Sequence, residues 1–371
     1  MNSKIVMGVI GAIVIIGAIF AFTTLTVTDD DGPIEFTDSM GRKISIDEPP
    51  EKVAVVNTDL AYYMVLLGIE HKIVAMDTDG LEKMVECSDD FDSVTDIGKR
   101  GTFSTSTAIE KMKLDGVDMV LSPSTMGIGS TVLADVIENS GIKVVYLDAF
   151  GNGMLDNLDK MVLLFGDSDN LKERAKTYKD MFNKCISDAK AICPTPDRSI
   201  DFLCYMFSST GTVGNYYLSS SELSGLIASI GGTNAAYATS GSFTTYKNEA
   251  LYNLFYDGDT PVLDVHFIRG SDTADYDLIV QTVGSQPLTS SIDVKKFSDI
   301  NPECKTIYLN THIASGLMSC YAYLLYAYVF TDTLDDSHIE ELESRVNAFM
   351  DGVGLNFVVD DDHPLVRNEV Y

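Results

Sequence analysis

Short runs of β-branched residues alternate with apolar stripes at helical spacing from Pro33 onward. The first run, Lys52–Val56, follows two prolines and precedes Asn57-Thr58-Asp59, which are good helix N-cap residues. A helical stripe then covers Leu60–Leu67 and stops at Gly68. The same alternation predicts strands at Lys72–Met76, Val117–Ser122 and Lys143–Asp148, and helices at Ala108–Met112 and Thr131–Asn139. Strands joined by helical crossovers predict a parallel sheet.

The pattern changes to nearly continuous helix between residues 155 and 191. Apolar residues recur there at helical spacing, and Gly166 is almost the only helix breaker. This predicts one helix, a short turn near Gly166–Asn170, and one long helix that ends near Cys193-Pro194.

A second set of alternating elements follows Pro196. Strands are predicted at Ile200–Phe207, Pro261–Ile268, Asp277–Gln281 and Lys305–Asn310, and helices at Glu222–Ile230, Cys320–Phe330 and His338–Phe349. The predicted fold class is therefore α/β, with two α/β lobes joined by one long rigid helix. The predicted domains are residues 29–154 for the first lobe, 155–194 for the linking helices and 195–371 for the second lobe, after an N-terminal segment of residues 1–28.

The N-terminal segment is predicted to be a transmembrane helix. Its 23 residues from Ile5 to Val27 carry no charge, and as a helix they would span about 34 Å, enough to cross a bilayer. A cleaved signal peptide is the alternative, although no small-residue cleavage site stands out near Phe20–Thr28. Because Lys4 precedes the run and Asp29 begins an acidic stretch after it, the rest of the chain is expected outside the cell.

Acidic residues greatly outnumber basic ones. The 371-residue chain has 55 Asp and Glu against 26 Lys and Arg, so its net charge is −29. Binding to nucleic acid or to anionic lipid needs clustered basic residues, and the sequence has no such run. The expected partner is a small molecule, a cation or another protein.

The six cysteines contain no C-x-x-C pair, which argues against a zinc ribbon or a thioredoxin-like site. Disulfides persist in an exported chain, so we expect a mixture of buried thiols and one or two bridges. Their pairing stays open, because six cysteines allow 15 connectivities.

Four sequence phrases resemble the substrate-binding proteins of ABC importers for ferric siderophores, haem and cobalamin, and they occur in the order and at the spacing that this family has. They are the hairpin, double-proline turn, strand and helix of Phe36–Gly68, the glycine loop and helix of Asp96–Met112, the Gly-Gly-x-Asn phrase in Leu226–Ala236, and the acidic helix of Tyr246–Leu254. The resemblance covers about Ile34–Phe330.

The resemblance implies two lobes joined by a rigid helix, with the ligand between them and an ABC permease and its ATPase subunit as partners. Each lobe of this family usually presents an exposed Glu that docks onto the permease. Glu249 matches this position in the second lobe, whereas Thr107 stands at the matching position of the first lobe and Glu110 lies one turn further on.

Ligands of open α/β sheets bind at loops beyond the carboxyl ends of the strands. This selects Asn57–Tyr62, Gly98–Phe103, Ser122–Gly129, Phe150–Gly153, Ser208–Tyr217, Phe243–Lys247, His266–Gly270 and Asn310–Gly316. Aromatic residues there could stack on a flat ligand or simply pack in the core: Tyr62, Tyr63, Phe103, Phe150, Tyr216, Tyr217 and Tyr246.

Basic residues in these loops are the candidates for an anionic ligand. Lys99, Arg100 and Arg269 lie there, with Lys247 as a weaker candidate. A guanidinium group suits carboxylate, hydroxamate or catecholate oxygens, and Arg100 also matches a position that often faces the ligand in the resembled family. The alternative for Lys99 and Arg100 is a surface ion pair with Asp96.

Among the histidines only His266 and His312 fall in the selected loops. A bare metal site would need three or four converging ligands, so no metal site is predicted. A haem iron can be held by Tyr or His, which keeps haem open.

Enzyme chemistry is not indicated, because the chain has no Gly-x-Ser-x-Gly elbow and no phosphate loop. We expect a membrane-anchored extracellular substrate-binding component of an ABC importer, with no catalytic residues and no resident cofactor. A ferric siderophore is the favoured cargo, and cobalamin or haem are alternatives. A surface sensor or adhesion domain that reuses the fold, and an anchored metal-chelate-processing enzyme, remain open.

Overall fold

The computed structural model describes residues 32–99, 106–125, 127–128, 131–151, 153–194, 200–206, 215–218, 221–236, 243–244, 253–254, 256–257, 260–270, 304–314, 316–356 and 366–367. These residues form two main sheets, one from each half of the chain, with helices around them. The domain boundaries predicted at residues 28, 154 and 194 remain predictions.

The first half forms a five-stranded parallel sheet preceded by a small antiparallel hairpin, β1 (Ile34–Thr37) and β2 (Lys43–Ile46). The sheet contains β3 (Val53–Val55), β4 (Ile73–Met76), β5 (Thr95–Asp96), β6 (Met119–Ser122) and β7 (Lys143–Tyr146). The strand order is β5-β4-β3-β6-β7, and every pairing is parallel. All three residues of the central β3 are buried, as expected when helices cover both faces of a parallel sheet.

Four helices connect these strands: α1 (Thr58–Leu67), α2 (Thr78–Cys87), α3 (Ser106–Asp115) and α4 (Thr131–Glu138). The caps of α1 are those that the sequence predicts. Asn57 accepts a hydrogen bond from the backbone N–H of Asp59, and Gly68 ends the helix in a left-handed conformation with φ 73°. The predicted strands and helices of this half are confirmed within a few residues, whereas β5 and α2 were not predicted.

Two helices connect the halves, α5 (Met154–Leu164) and α6 (Asp169–Ile192), on either side of the turn predicted at Gly166. Ser168 caps α6 by accepting a hydrogen bond from the backbone N–H of Leu171. The 24 residues of α6 end at Ile192, close to the predicted position.

The second half forms a seven-stranded mixed sheet. Its strands are β8 (Ile200–Met206), β9 (Asn215–Tyr217), β10 (Gly232–Asn234), β11 (Phe243–Thr244), β14 (Val265–Gly270), β15 (Lys305–Asn310) and β16 (Val366–Arg367), and β12 (Tyr256–Asp257) pairs with β13 (Thr260–Pro261) in a separate hairpin. The three central strands, β8, β14 and β15, are parallel, whereas β9 and β16 run antiparallel to their neighbours.

In the described part of the second half, the helices are α7 (Glu222–Ala228), α8 (Thr311–Ala314), α9 (Ser319–Phe330) and α10 (Asp336–Gly352). Nearly every residue of α9 is buried, because one side packs on the sheet, where Tyr326 contacts Phe267, and another packs on α6, where Tyr323 contacts Phe182. The strand predicted at Pro261–Ile268 is partly wrong, since β14 starts only at Val265 and Pro261 ends the preceding hairpin. The strand predicted at Asp277–Gln281 lies outside the described residues.

One apolar core runs from the five-stranded sheet through α6 to the seven-stranded sheet. Aromatic rings mark its path, because Tyr178 of α6 contacts Tyr63 of α1 at a centroid distance of 6.4 Å and Phe182 at 5.9 Å, and Phe182 contacts Tyr323 at 6.3 Å. The hydroxyl of Tyr178 also donates to the carbonyl of Leu317 at 2.7 Å. The helix α6 therefore packs on both halves of the molecule.

All six cysteines lie in the described part of the chain, and all six are buried free thiols. The expected bridges are therefore absent from this structure, and only the buried-thiol part of that expectation is confirmed. No helix in the described ranges has both the length and the apolar character needed to span a membrane. The predicted transmembrane segment belongs to residues 1–31, which are outside those ranges.

Candidate functional site

The carboxyl end of β3 leads directly into the N-terminus of α1 at a strained residue. Asn57 has φ 108°, which is rare for a residue other than glycine. The conformation is held by two hydrogen bonds, because the backbone N–H of Asn57 donates to the buried carboxylate of Asp77 at 2.7 Å and its side-chain oxygen accepts from the N–H of Asp59 at 2.7 Å. Strain of this kind is common at ligand sites.

This edge of the five-stranded sheet meets the seven-stranded sheet at Gly316. The Oδ1 atom of Asp59 lies 2.5 Å from the position of a Cβ atom built on Gly316, and the carbonyl oxygen of Ala149 lies 3.8 Å from it. Gly316 follows β15 and α8, while Asp59 and Ala149 follow β3 and β7. The carboxyl edges of the two sheets therefore face each other, as expected for a site between two lobes.

The ends of β6 and β7 are joined by a carboxylate. Asp148 accepts hydrogen bonds from the backbone N–H of Ser124 at 2.7 Å and from its hydroxyl at 2.8 Å. The amide of Asn157, on α5, donates to the carbonyl of Asp148 at 3.1 Å. These contacts fix the loops next to Ala149 and the half-buried Phe150.

On the seven-stranded sheet, Arg269 stands near the carboxyl end of β14. Its guanidinium group donates to the hydroxyl of Tyr217 and lies over the Tyr217 ring, 5.6 Å from the centroid. Gly270 is opposite Asn310 in the parallel pairing of β14 and β15, so the buried Asn310 ends its strand beside this site.

The charge of Arg269 is stabilised from both sheets. Burial by itself lowers the pKa of the guanidinium group, but interactions with Tyr217, Cys204 and Asp59 outweigh it, and the net pKa is raised above its ordinary value. The contribution of Asp59 comes from the N-terminus of α1. Asp59 of the first half therefore acts across the interface to stabilise the positive charge of Arg269.

His266 and Tyr216 are part of the opposite face of the same sheet. His266 is completely buried in β14, and its ring stacks on Tyr216 at 6.2 Å and lies 6.4 Å from Tyr205. Burial lowers the pKa of His266 to about 3. The loop predicted at His266–Gly270 is thus wrong, because these residues are strand β14, and alternation along the strand separates His266 from Arg269.

Of the remaining predicted residues, some are buried in the core and others are exposed. Tyr62 is buried inside α1, where its hydroxyl lies 3.9 Å from the sulfur of Cys87 rather than at the helix N-terminus. Tyr63 is also buried and donates to the carbonyl of Met154 at 3.1 Å. Lys99 is exposed just beyond β5. The structure therefore brings together Arg269 and Tyr217, with Phe150 on a loop of the facing edge.

Several predictions concern residues outside the described ranges. Arg100, Phe103, Tyr246, Glu249 and the weaker candidate Lys247 all fall there. The backbone of His312 is part of α8, but nothing is described of its side chain. On α3, Thr107 and Glu110 are both exposed. The ligand-binding roles of all these residues remain predictions.

The Gly-Gly-x-Asn phrase has a structural role beneath the site. Asn234 donates from its amide nitrogen to the carbonyl of Tyr217 and to the hydroxyl of Ser224, both at 2.7 Å, and accepts from the N–H of Ala236 at 2.8 Å. A Cβ atom on Gly232 would lie 2.7 Å from Ile227. The phrase therefore holds β9, and with it the Tyr217 that contacts Arg269.

Sequence reasoning missed the polar residues Asp59, Asp148 and Ser124. Each lies in or next to a loop that the strand pattern selects, at the carboxyl end of a predicted strand. The signal was available, because polar residues that directly follow buried strands point to a shared edge.

An open cavity of about 580 Å³ lies elsewhere, at the amino edge of the five-stranded sheet. Lys52, Glu70, His71, Asp90 and Asp115 are among the residues that line it. Since these residues precede strands β3 to β6, the cavity is on the edge opposite the interface of the two sheets. In the described part of the chain, no group of three or more His, Cys, Asp or Glu could hold a metal ion.

Solved structures with the same architecture are periplasmic and ABC-transporter binding proteins. A TroA-like periplasmic binding protein, FepB, from Veillonella parvula has a TM-score of 0.63 at 15% identity, over 91% of this chain and 99% of its own. An ABC transporter substrate-binding protein from Listeria monocytogenes has a TM-score of 0.56 at 14% identity, over 77% and 99%. A periplasmic heme-binding protein from Pseudomonas aeruginosa has a TM-score of 0.53 at 17% identity, over 77% and 94%.

These similarities show the fold: the chain has the architecture of the class III, TroA-like periplasmic binding proteins, as the sequence resemblance predicts. No protein-family model matches the sequence, and no curated protein does.

Proposed function

We propose that the protein is the substrate-binding component of an ABC importer and captures a metal chelate between its two sheets. The observation that carries the proposal is the meeting of the two carboxyl edges at Asp59 and Gly316, with the Arg269 cation at the same interface. This is where an open α/β sheet binds its ligand. The similar solved structures, which are described as binding proteins rather than enzymes, support a role in binding and not in catalysis.

The favoured cargo is an anionic ferric siderophore. Arg269 supports this choice, because a guanidinium group held by Tyr217 presents directed donors to carboxylate, hydroxamate or catecholate oxygens. Exposed Lys99 adds a second cation on the side of the first sheet. Haem and cobalamin are the alternatives: similar structures include heme-binding proteins, and aromatic candidates such as Phe150 and Tyr217 suit a flat ligand.

The proposed location is the outer surface of the cell membrane, with Ile5–Val27 as an uncleaved anchor. The support is the sequence itself, since 23 uncharged residues are long enough to cross a bilayer. A net charge of −29 would keep a tethered protein soluble. In this arrangement the protein delivers its ligand to a permease whose ATPase subunit hydrolyses ATP inside the cell, and Glu249 is the proposed docking residue of the second half.

A ligand screen by thermal shift tests the binding proposal. The full chain in detergent is heated with ferric hydroxamate, ferric catecholate, cobalamin, haem and free ferric ion as separate additives. A ligand at one hundred times its dissociation constant adds about 2.7 kcal/mol of stability and raises the melting temperature by a few degrees. A shift with one chelate class supports the proposal and names the cargo, whereas no shift with any of them contradicts it.

Transport is tested separately by uptake of the chelate into cells. Glu249→Gln should slow uptake without weakening binding, because the substitution removes a docking charge and leaves the cleft unchanged. Glu110→Gln on the exposed face of α3 is the matched variant for the first half. Normal uptake with Glu249→Gln would contradict the docking role of this residue while leaving chelate binding intact.

A surface sensor that reuses the fold is the second candidate function. Thr107 favours it, because an exposed Thr stands where the resembled family usually has its docking acid. A sensor would bind the chelate with the same thermal shift, but deletion of the protein would leave chelate uptake unchanged.

A further inference from the structure

Two of the six buried thiols lie near each other where α6 packs on α9. Cys185 of α6 is 4% exposed and Cys320 of α9 is fully buried, and the two thiols are close enough for each to shift the pKa of the other. They are on different helices and far apart in sequence, so only tertiary packing brings them together. Among the described residues, none of the other four thiols has its pKa shifted by another cysteine.

The surrounding packing holds this thiol pair in place. One turn before Cys185, Met181 accepts a hydrogen bond at its sulfur from the hydroxyl of Tyr321, at 3.3 Å. The ring of Phe182 contacts Tyr323 edge-on. Phe182 is three residues before Cys185 and Tyr323 is three residues after Cys320, so the contact of these two rings holds the two cysteines near each other across the α6–α9 interface.

The two thiols also differ in pKa, and this difference decides which of them starts disulfide exchange. The neighbouring Cys320 thiol lowers the pKa of the Cys185 thiol, with a smaller contribution from the charge of Arg345. Burial raises the pKa of the Cys320 thiol. Cys185 is therefore the better nucleophile of the pair.

We propose that Cys185 and Cys320 form a disulfide that fastens α6 to α9 when the protein is in an oxidising compartment. With a low-molecular-weight disulfide as oxidant, the Cys185 thiolate attacks one of its sulfurs, forms a mixed disulfide and expels one thiolate. The Cys320 thiolate then attacks the Cys185 sulfur, forms the protein disulfide and expels the second thiolate. The protein loses two protons and two electrons, and the oxidant is reduced to two thiols.

The expected consequence is that α6 moves as one body with the seven-stranded sheet. Tyr326 already fastens α9 to β14 through Phe267, so the disulfide would extend a covalent link from the sheet to α6. The link also closes a long loop of chain, which reduces the entropy of the unfolded state. The pairing itself does not depend on the proposed function, although its formation in the cell depends on the proposed location outside the membrane.

The test is disulfide mapping on the full chain. The reduced protein in detergent is unfolded in urea, refolded in a buffer of oxidised and reduced glutathione, alkylated, and digested without reductant. Mass spectrometry should find the Cys185 and Cys320 peptides joined, and the melting temperature should rise by about 5 °C and fall again after addition of dithiothreitol. Recovery of both peptides in alkylated form, or joined to other cysteines, would overturn the proposal. This experiment is done on the wild-type protein.

Serine variants give a second reading. Cys185→Ser and Cys320→Ser should each abolish the redox-dependent change in melting temperature. Cys304→Ser, which removes a buried thiol that donates to the carbonyl of Lys305, should retain it. A redox-dependent shift that survives in Cys185→Ser would show that another pair is responsible. Because the comparison is between oxidised and reduced forms of one variant, a general loss of stability does not affect it.

Discussion

The carboxylate of Asp59, in the first turn of α1, lies against the α-carbon of Gly316, so that a side chain on Gly316 would meet it at 2.5 Å. The two residues belong to opposite halves of the molecule, and Gly316 has φ +68°, a conformation that other residues adopt at a cost. Glycine at this position is thus required twice, by its backbone conformation and by the approach of the facing helix.

Gly316→Ala should destabilise the protein and also disturb the approach of the two sheets. We expect a loss of about 1–2 kcal/mol from the left-handed backbone and a smaller further loss because the Asp59 carboxylate must move aside. Urea unfolding followed by circular dichroism measures the loss of stability. The same variant should weaken binding of the chelate found in the ligand screen. The added methyl group keeps Asp59 and residue 316 further apart, which changes the distance between the two sheet edges that form the cleft.

Gly41→Ala is the matched control. Gly41 has φ +76° in the β1–β2 turn, and a Cβ atom there would meet nothing within 4 Å, so this variant carries the backbone cost alone. A double variant, Asp59→Ala with Gly316→Ala, should recover part of the lost stability by removing the carboxylate. Equal losses for Gly41→Ala and Gly316→Ala would show that the contact with Asp59 is unimportant.

Tyr217→Phe should release the guanidinium group of Arg269 while keeping the ring beneath it. The variant removes the hydroxyl that accepts from Arg269, and hydrogen bonds to charged groups contribute about 1.5–3 kcal/mol. If Arg269 binds an anionic chelate, its affinity should fall about tenfold. Titration calorimetry with the chelate found in the ligand screen measures this change.

Tyr216→Phe is the control for Tyr217→Phe, because the neighbouring side chain points to the opposite face and stacks on His266. It should leave the chelate affinity within a factor of two. Similar losses of affinity in both variants would mean that the effect comes from general loosening of β9 and not from the orientation of Arg269.

Most of the fold could be predicted because the strands of a parallel sheet are continuous apolar runs between strong breakers. The strand at Lys52–Val56 and the helix after it are marked by Pro50, Asn57 and Gly68, and all three limit the elements as expected. Prediction failed where the local signal is ambiguous. Pro261–Ile268 is an apolar run, but its first residues belong to a hairpin and to an irregular link, which only the tertiary structure decides.

The candidate site was harder to predict, because the face on which a side chain lies depends on strand register. The sequence selected both His266 and Arg269 at one predicted loop, yet β14 continues through them and places them on opposite faces. The contact of Asp59 with Gly316 joins residues far apart in the chain, and no local pattern contains it. The edge of the sheet was predictable, whereas the side chains that share it were not.

Asn234→Ala should destabilise the second half by about 2–3 kcal/mol. The amide of Asn234 makes three hydrogen bonds, to Tyr217, Ser224 and Ala236, and its loss leaves buried polar groups without their partner. Thermal unfolding by circular dichroism measures the effect. Thr233→Ala is the control at the adjacent, exposed position, where we expect a change within about 0.5 kcal/mol.

The Asn234 variant also tests whether the Gly-Gly-x-Asn phrase supports the site. Because Asn234 holds the backbone of Tyr217, its loss should lower the chelate affinity to a similar extent as Tyr217→Phe. Combining the two substitutions should then cost less affinity than the two single losses together. Fully additive losses would show that Asn234 acts on the site by another route.

His266 should make the protein less stable in acid. Burial lowers the pKa of His266 to about 3 in the folded state, whereas an unfolded histidine has a pKa near 6.5. The unfolded state therefore binds more protons, so the stability that neutral His266 contributes is complete above about pH 6.5 and declines as the pH falls toward 3. Between pH 7.5 and pH 5 the expected loss from this residue is about 2 kcal/mol.

Urea unfolding of wild type and His266→Phe at both pH values checks this expectation. The phenylalanine keeps a ring against Tyr205 and Tyr216 but cannot take up a proton, so the variant should lose about 2 kcal/mol less than wild type on acidification. The control His71→Gln replaces an exposed imidazole and should follow the wild type. Because titrating carboxylates affect all three proteins alike, an equal acid loss in wild type and His266→Phe would mean that His266 is not buried in its neutral form.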